Sequence, residues 1–163
     1  MAANFSPIEL PERETLERCQ PLVRSFYDYW ERARRGKPMP SRSDIDPMAV
    51  PRHLPGIILI DVEGFAGRGH GIYRYRVVGT YEVDNRGHNP TGKLVDDGYF
   101  AADVDSALAA YDHVCTHKVG IYEELNFVTD RGIQMREQSI VLPLSENGDA
   151  VSQIIVYSER SET

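Results

Sequence analysis

Arg76 is a cation inside an apolar run, Ile72-Tyr73-Arg74-Tyr75-Arg76-Val77-Val78, and so demands a chemical partner. Strand alternation puts it on the face shared with Ile72, Arg74 and Val78. Two readings stay open. Its planar guanidinium can orient a carboxylate or another anion in a cavity, or it can form an ion pair within the protein with an acid such as Asp61 or Glu124. Tyr73, Tyr75, Tyr81, Tyr122 and Tyr157, with Asn126, add polar tips to apolar surroundings, the mixture found in small-molecule pockets. Strand tyrosines also serve as core and cross-strand pairs. Tyr81 stands out because it follows the Gly79-Thr80 corner, where Thr80 suits a helix cap. The expected ligand contacts are Arg76, Tyr75, Tyr81, Tyr122 and Asn126.

Other reactive residue types lack the company that chemistry needs. His113 and His117 lie four apart on a predicted helix, but no cysteine or acid cluster completes a metal or haem ligand set. Cys115 reads as a small core residue. Glu123 and Glu124 are adjacent in a predicted strand, point to opposite faces and cannot act as a catalytic pair. The glycines at 64, 67, 69 and 71 lack the Lys-Ser/Thr end of a phosphate loop and suit a hairpin. There is no serine elbow and no His-Glu zinc motif, so no catalytic residue and no metal ligand is expected.

These residues must be held by elements that the hydrophobic pattern outlines. Leu16, Cys19, Val23, Phe26, Trp30 and Ala33 recur at spacings of three and four, a helical stripe over residues 11–35. Pro21 breaks it into a short helix and a longer one. Gly36 to Ser41 is a connector, and a short helix capped by Asp44 is expected between Asp46 and His53. Ile57 to Val62 and Ile72 to Val78 form a hairpin. A turn of helix follows at Tyr81 to Arg86, then a main helix from Asp103, its cap, to His117, with Val104, Leu108, Tyr111 and Cys115 inward. Strands at about 120–129, 133–144 and 151–158 finish the chain, joined by Asp130-Arg131-Gly132 and Glu146-Asn147-Gly148-Asp149. This order implies an α+β fold, a five-stranded antiparallel sheet with helices on one face. Ile57-Ile58-Leu59-Ile60 and Ile154-Ile155-Val156 are apolar on both alternating faces, so the helix carrying Phe26 and Trp30 must cover the other face or a dimer interface.

Composition narrows the function classes. The 163 residues, 41% of them hydrophobic and 26% charged, suit one globular unit with its own core and exclude a disordered chain. The charge of −7 would repel a phosphate backbone, so no nucleic-acid partner is expected. No apolar run is long enough to span a bilayer. Two distant cysteines and no secretory leader point to the cytoplasm.

Several fragments in fixed order resemble the bacterial single-domain PAS family called PAS_5. They are Tyr29-Trp30; Met39-Pro40-Ser41-Arg42, with Met where the family pattern usually has Leu; Asp44-Ile45-Asp46-Pro47; His53-Leu54-Pro55; Tyr75-Arg76-Val77-Val78-Gly79-Thr80; Thr91-Gly92-Lys93; and Leu142-Pro143-Leu144 with Gly148. They span residues 29–148. The resemblance implies a PAS-like sheet around a cavity, with residues 1–36 as an N-terminal helical extension and 37–163 as the PAS-like domain. It implies a stand-alone sensory or small-molecule-binding module that acts through protein contacts, and it names no reaction, ligand or cofactor. A flavin photosensor is disfavoured because Asn85 to Leu94 lacks the reactive cysteine of such relatives. Phe26 and Trp30 are the expected dimer or output surface, in a homodimer with a signalling partner of unknown identity. The competing expectations are an adaptor with a filled core and, less favoured, a small-molecule enzyme using Asp61 or His88.

Overall fold

The computed structural model describes residues 7–65, 69–98 and 104–163. The elements run β1 (Ile8–Glu9), α1 (Arg13–Arg18), α2 (Pro21–Ala33), three single 3-10 turns, β2 (Ile57–Gly64), β3 (Ile72–Val78), α3 (Thr80–Arg86), α4 (Val95–Gly98), α5 (Val104–His117), β4 (Ile121–Val128), β5 (Gln134–Leu144) and β6 (Gln153–Glu162). All strands pair antiparallel, in the order β1-β4-β5-β6-β2-β3.

The antiparallel α+β architecture is as expected, with one strand more than the sequence suggested. The sixth is β1, two residues paired with Ile121 and Tyr122 at the β4 edge, too short to leave any periodicity. The helix expected between Asp46 and His53 is replaced by 3-10 turns at Arg42–Asp44, Pro47–Ala49 and Leu54–Gly56. Prolines at 47, 51 and 55 leave no run of free N–H groups for an α-helix. Asp44 closes a capping box with Ser41 on the first turn, and it is Asp46 that caps the second, accepting from the Met48 N–H. Two expectations, Gly67 in the hairpin and the Asp103 cap, lie outside the described residues.

Both faces of the central strands are covered within the monomer. On the back face, Ile57, Leu59, Leu142, Ile155 and Tyr157 pack with Val23, Phe26, Tyr27 and Trp30 of α2. Pro21 opens α2 at its first position, where a missing N–H is harmless, so the break it forces also starts the covering helix. The Trp30 indole donates to the Pro143 carbonyl at 3.0 Å, and Phe26 lies 5.4 Å, centroid to centroid, from both His53 and Tyr157. Phe26 is 0% and Trp30 5% exposed. Of the two places expected for this helix, the second face of the sheet is the one it occupies, and Phe26 and Trp30 have no surface left to offer a partner. On the front face, Ile58, Ile60, Tyr73, Tyr75, Val141, Ile154 and Val156 meet Ala107, Leu108, Ala110, Tyr111 and Val114 of α5.

Register corrects the placing of Arg76. Leu59 pairs with Val77 and Ile60 with Tyr75, so Arg76 is the extra residue of a β-bulge. Alternation is broken there. Tyr73 and Tyr75 before the bulge and Val78 after it all belong to the front cluster, which is why Arg76 does not share a face with Val78.

Gly79 fixes how β3 leaves the sheet. A Cβ on it would stand 2.4 Å from the Pro55 carbonyl oxygen and 2.5 Å from that of Leu54, and its N–H donates to Ile57 O at 2.8 Å. The 53–55 turn and the start of α3 can touch only through a residue without a side chain. Gly79→Ala is therefore expected to destabilise the protein by about 1–3 kcal/mol in urea unfolding, and Phe26→Ala by about 3–5 kcal/mol. A Gly79→Ala protein of unchanged midpoint would contradict this contact.

Candidate functional site

The front face changes character along its strands. Beside α5 it presents Ile121, Val141 and Val156; further along the same face come Glu123 opposite Ser139, then Glu137 opposite Arg160. Helix α3 crosses this polar end. Glu82 and Arg86 are four apart and so share a helix face, and that face turns inward. Arg86 Nη1 donates to Glu82 Oε2 at 2.8 Å with both side chains only 4% exposed.

Between these elements lies a cavity of about 90 Å³ lined by Glu82, Arg86, Tyr111, Glu123, Glu137 and Ser139, among others. Its charges are held unevenly. Arg160 Nε donates to Glu137 Oε2 at 2.5 Å, the Arg86 guanidinium lies 5.9 Å from the Tyr75 ring centroid, and Ser139 and Ser158 share a hydrogen bond of 2.8 Å. Glu82 Oε1 is buried with no hydrogen-bond partner. Burial pushes the Glu82 carboxyl up against the pull of Arg86. Burial, reinforced by Glu137, pushes the half-buried Glu123 up to about 7. Buried polar groups are normally satisfied, and near-neutral carboxyls in a cleft mark functional sites.

A second polar cluster ties the hairpin to α5. Asp112 accepts from the Gly71 N–H at 2.8 Å and from the Tyr73 hydroxyl at 2.5 Å, and lies 2.5 Å from His70 Nδ1. Cys115 is nearby, its thiol pushed up to about 12 by burial, so it is not a nucleophile at neutral pH.

Of the expected ligand contacts, Tyr75 lies on the cavity side, 1% exposed. Tyr81 lines a separate open groove of about 240 Å³ with Arg52, Tyr157 and Arg160. Tyr122 is buried in the back cluster, and its hydroxyl donates to Glu124 at 3.2 Å. Asn126 is exposed opposite Arg136. Arg76, its side chain 64% exposed, pairs with Asp61 at 2.7 Å, one of the two acids weighed for it, and Asp61 also accepts from Gln153 at 2.7 Å. His113 lies 2.7 Å from Glu9, and its ring is tilted at 38° to that of His117, 4.2 Å between centroids. Among the described residues no group of three His, Cys, Asp or Glu side chains could hold a metal ion.

Sequence reading missed Glu82, Arg86, Glu123, Glu137 and Arg160 as a set. The i,i+4 spacing of Glu82 and Arg86 was available as a signal, but that spacing is usual on solvated helix faces. Glu123 and Glu124 do point to opposite faces as expected. Only the register shows which of them enters the cavity.

The family model PAS_5, a PAS domain, matches residues 19–156. Among solved structures, a light-oxygen-voltage domain studied with a flavin analogue is similar at 8% identity and a TM-score of 0.47, covering 70% of this chain and 82% of that one. An RNA-binding light-oxygen-voltage receptor is similar at 11% identity and a TM-score of 0.43, covering 74% of this chain and 35% of that one. A sensory box histidine kinase/response regulator from Burkholderia thailandensis E264 is similar at 14% identity and a TM-score of 0.38, covering 71% and 84%. No curated protein matches the sequence.

The raised carboxyl of Glu123 has a signed consequence. Between its ordinary 4.5 and about 7 the folded protein holds a proton that the unfolded chain has lost, so stability falls as pH rises through that window. Glu123→Gln imitates the protonated form. Its Tm is expected to match the parent near pH 4 and exceed it near pH 8, read by a thermal melt series. A gain equal at both ends would show that the carboxyl is not the titrating group. Arg76→Ala, which removes an exposed pair, is expected to change stability by about 0–1 kcal/mol.

Proposed function

The chain belongs to the PAS_5 family of PAS domains, and from that premise we propose that it is a sensory module that binds a small molecule in the cavity between β4, β5 and α3. The observation that carries this reading is the buried Glu82–Arg86 pair, with Glu82 Oε1 unsatisfied at the cavity. Burying two charges costs several kcal/mol per ion before their attraction is counted, and apolar residues of similar volume often do as well or better. An ion pair that faces a cavity is explained when a ligand uses its remaining valence.

The cavity, at about 90 Å³, is well below the roughly 300–1,000 Å³ of drug-sized sites. That supports a ligand of few heavy atoms. The same small volume favours the second reading, an interaction module with no ligand. An acid/base enzyme has less support. Asp61 is held by Arg76 and Gln153, and His88 is exposed, its Nδ1 3.2 Å from the Arg86 carbonyl.

Output by contact with another protein, a second copy included, requires surface other than Phe26 and Trp30, which α2 commits to the core. Exposed apolar side chains do stand on β4, where Leu125 is 55% and Val128 62% exposed. Among the described residues no helix is long and apolar enough to cross a membrane.

Native mass spectrometry of the protein purified from cells tests the binding reading. A retained small molecule is expected, and it is expected to be absent from the double variant Glu82→Leu/Arg86→Met. That variant should keep or gain thermal stability, because the desolvation cost of the pair is removed with it. Retention of the same molecule by a folded double variant would refute the site.

A further inference from the structure

The charges that face the cavity do not balance. Helix α3 contributes Glu82 and Arg86, β4 Glu123, β5 Glu137 and α5 Tyr111 to its lining, and Arg160 of β6, outside the lining, stands opposite Glu137. Arg86 is held against Glu82 and Arg160 against Glu137, at 2.8 and 2.5 Å. That leaves three carboxylates against two guanidiniums. Glu123 takes part in no ion pair among the described residues, and the outer oxygen of Glu82, on a residue 3% exposed, accepts no hydrogen bond. Both carboxyls line the same small space.

We propose that this cavity takes a small organic cation of the alkylammonium type, whose N–H donors are accepted by Glu82 and Glu123; the proposal rests on the sensory reading above and gives its ligand a chemical class. An ammonium head carries three donors and no acceptor, so it satisfies two acceptor-only carboxylates where a carboxylic acid or phosphate would add like charge. It also supplies the one positive charge the site lacks. The space, about 90 Å³, admits several water-sized groups, enough for a short alkyl chain with its head. Ser139, Ser158 and Tyr111 help bound it. The elevated Glu123 carboxyl agrees with this. Burial, with Glu137 beside it, favours its protonated form, and a bound ammonium would release that proton.

The test uses the full chain and three probes at equal ionic strength: ethylammonium chloride, sodium acetate and sodium chloride. A probe this small binds at the millimolar level at best, so shifts of backbone amide NMR signals on titration are the readout. Saturable binding of ethylammonium alone is expected, with shifts centred on α3 and β4. Its affinity is expected to rise about tenfold from pH 6 to pH 8 as Glu123 ionises. Glu123→Gln should bind at least about tenfold more weakly and lose that pH dependence, and its raised stability at alkaline pH separates lost binding from lost folding. Glu82→Gln is the second variant, expected to weaken binding while keeping the pH dependence. Acetate binding as tightly as ethylammonium, ethylammonium binding undiminished in Glu123→Gln, or no saturation by ethylammonium would each overturn the proposal. The native mass spectra keep the two readings apart. A retained anionic or neutral molecule defeats the cation and leaves the sensory reading standing, whereas no retained molecule and no probe binding defeat both.

Discussion

Two central strands that are apolar on both faces set the terms for everything else in this protein. Ile57 to Ile60 in β2 and Ile154 to Val156 in β6 pair with each other and expose branched side chains above and below the sheet, so each side requires its own cover. Helix α2 supplies one and α5 the other. The break at Pro21, the stripe from Val23 to Ala33 and the indole of Trp30 on the Pro143 carbonyl follow from the back cover. The alanine-rich inner side of α5, with Ala107 and Ala110 buried, lets that helix approach the front closely.

The front face changes along the strands, with Ala107 and Tyr111 of α5 reaching the polar end. The strands first carry Ile121, Val141 and Val156; further along the same face they carry Glu123, Ser139, Glu137, Ser158 and Arg160. Helix α3 meets this polar end with Glu82 and Arg86 rather than with apolar side chains. Charges brought together away from water interact more strongly than on the surface and are costlier when left unmatched. The cavity thus sits at the boundary between a dry, well-packed half and a charged one.

The fragments that mark the chain as a PAS domain act on the fold rather than on this cavity. Gly79 lets β3 and the 53–55 turn touch. His53 packs edge-on against Tyr157, and its Nε2 lies 3.0 Å from the Leu22 carbonyl. Thr91-Gly92-Lys93 closes the outer edge of β3, where Gly92 donates to the Tyr75 carbonyl and Lys93 accepts from the Tyr75 N–H. Leu142-Pro143-Leu144 supplies the acceptor for Trp30. Family membership was readable from these residues because each answers a steric or hydrogen-bonding need local to one junction of the backbone.

Short-range physics determined what the sequence disclosed alone. The helix break follows from one missing N–H, the hairpins from Gly132 and Gly148 at positive φ, and the buried strands from runs of branched residues. Those features settle element type and order. Which residues share the cavity was decided by register and by cover, quantities that no local pattern contains. One bulge took Arg76 out of the alternation and gave it to Asp61. Pairing of β4 with β5 set Glu123 over the cavity and left Asn126 exposed. Packing of α3 turned Glu82 and Arg86, a spacing ordinary on a solvated helix, into a buried pair. Charge placement depends on distances across the chain, so only the tertiary structure could bring Glu82, Arg86, Glu123 and Glu137 together.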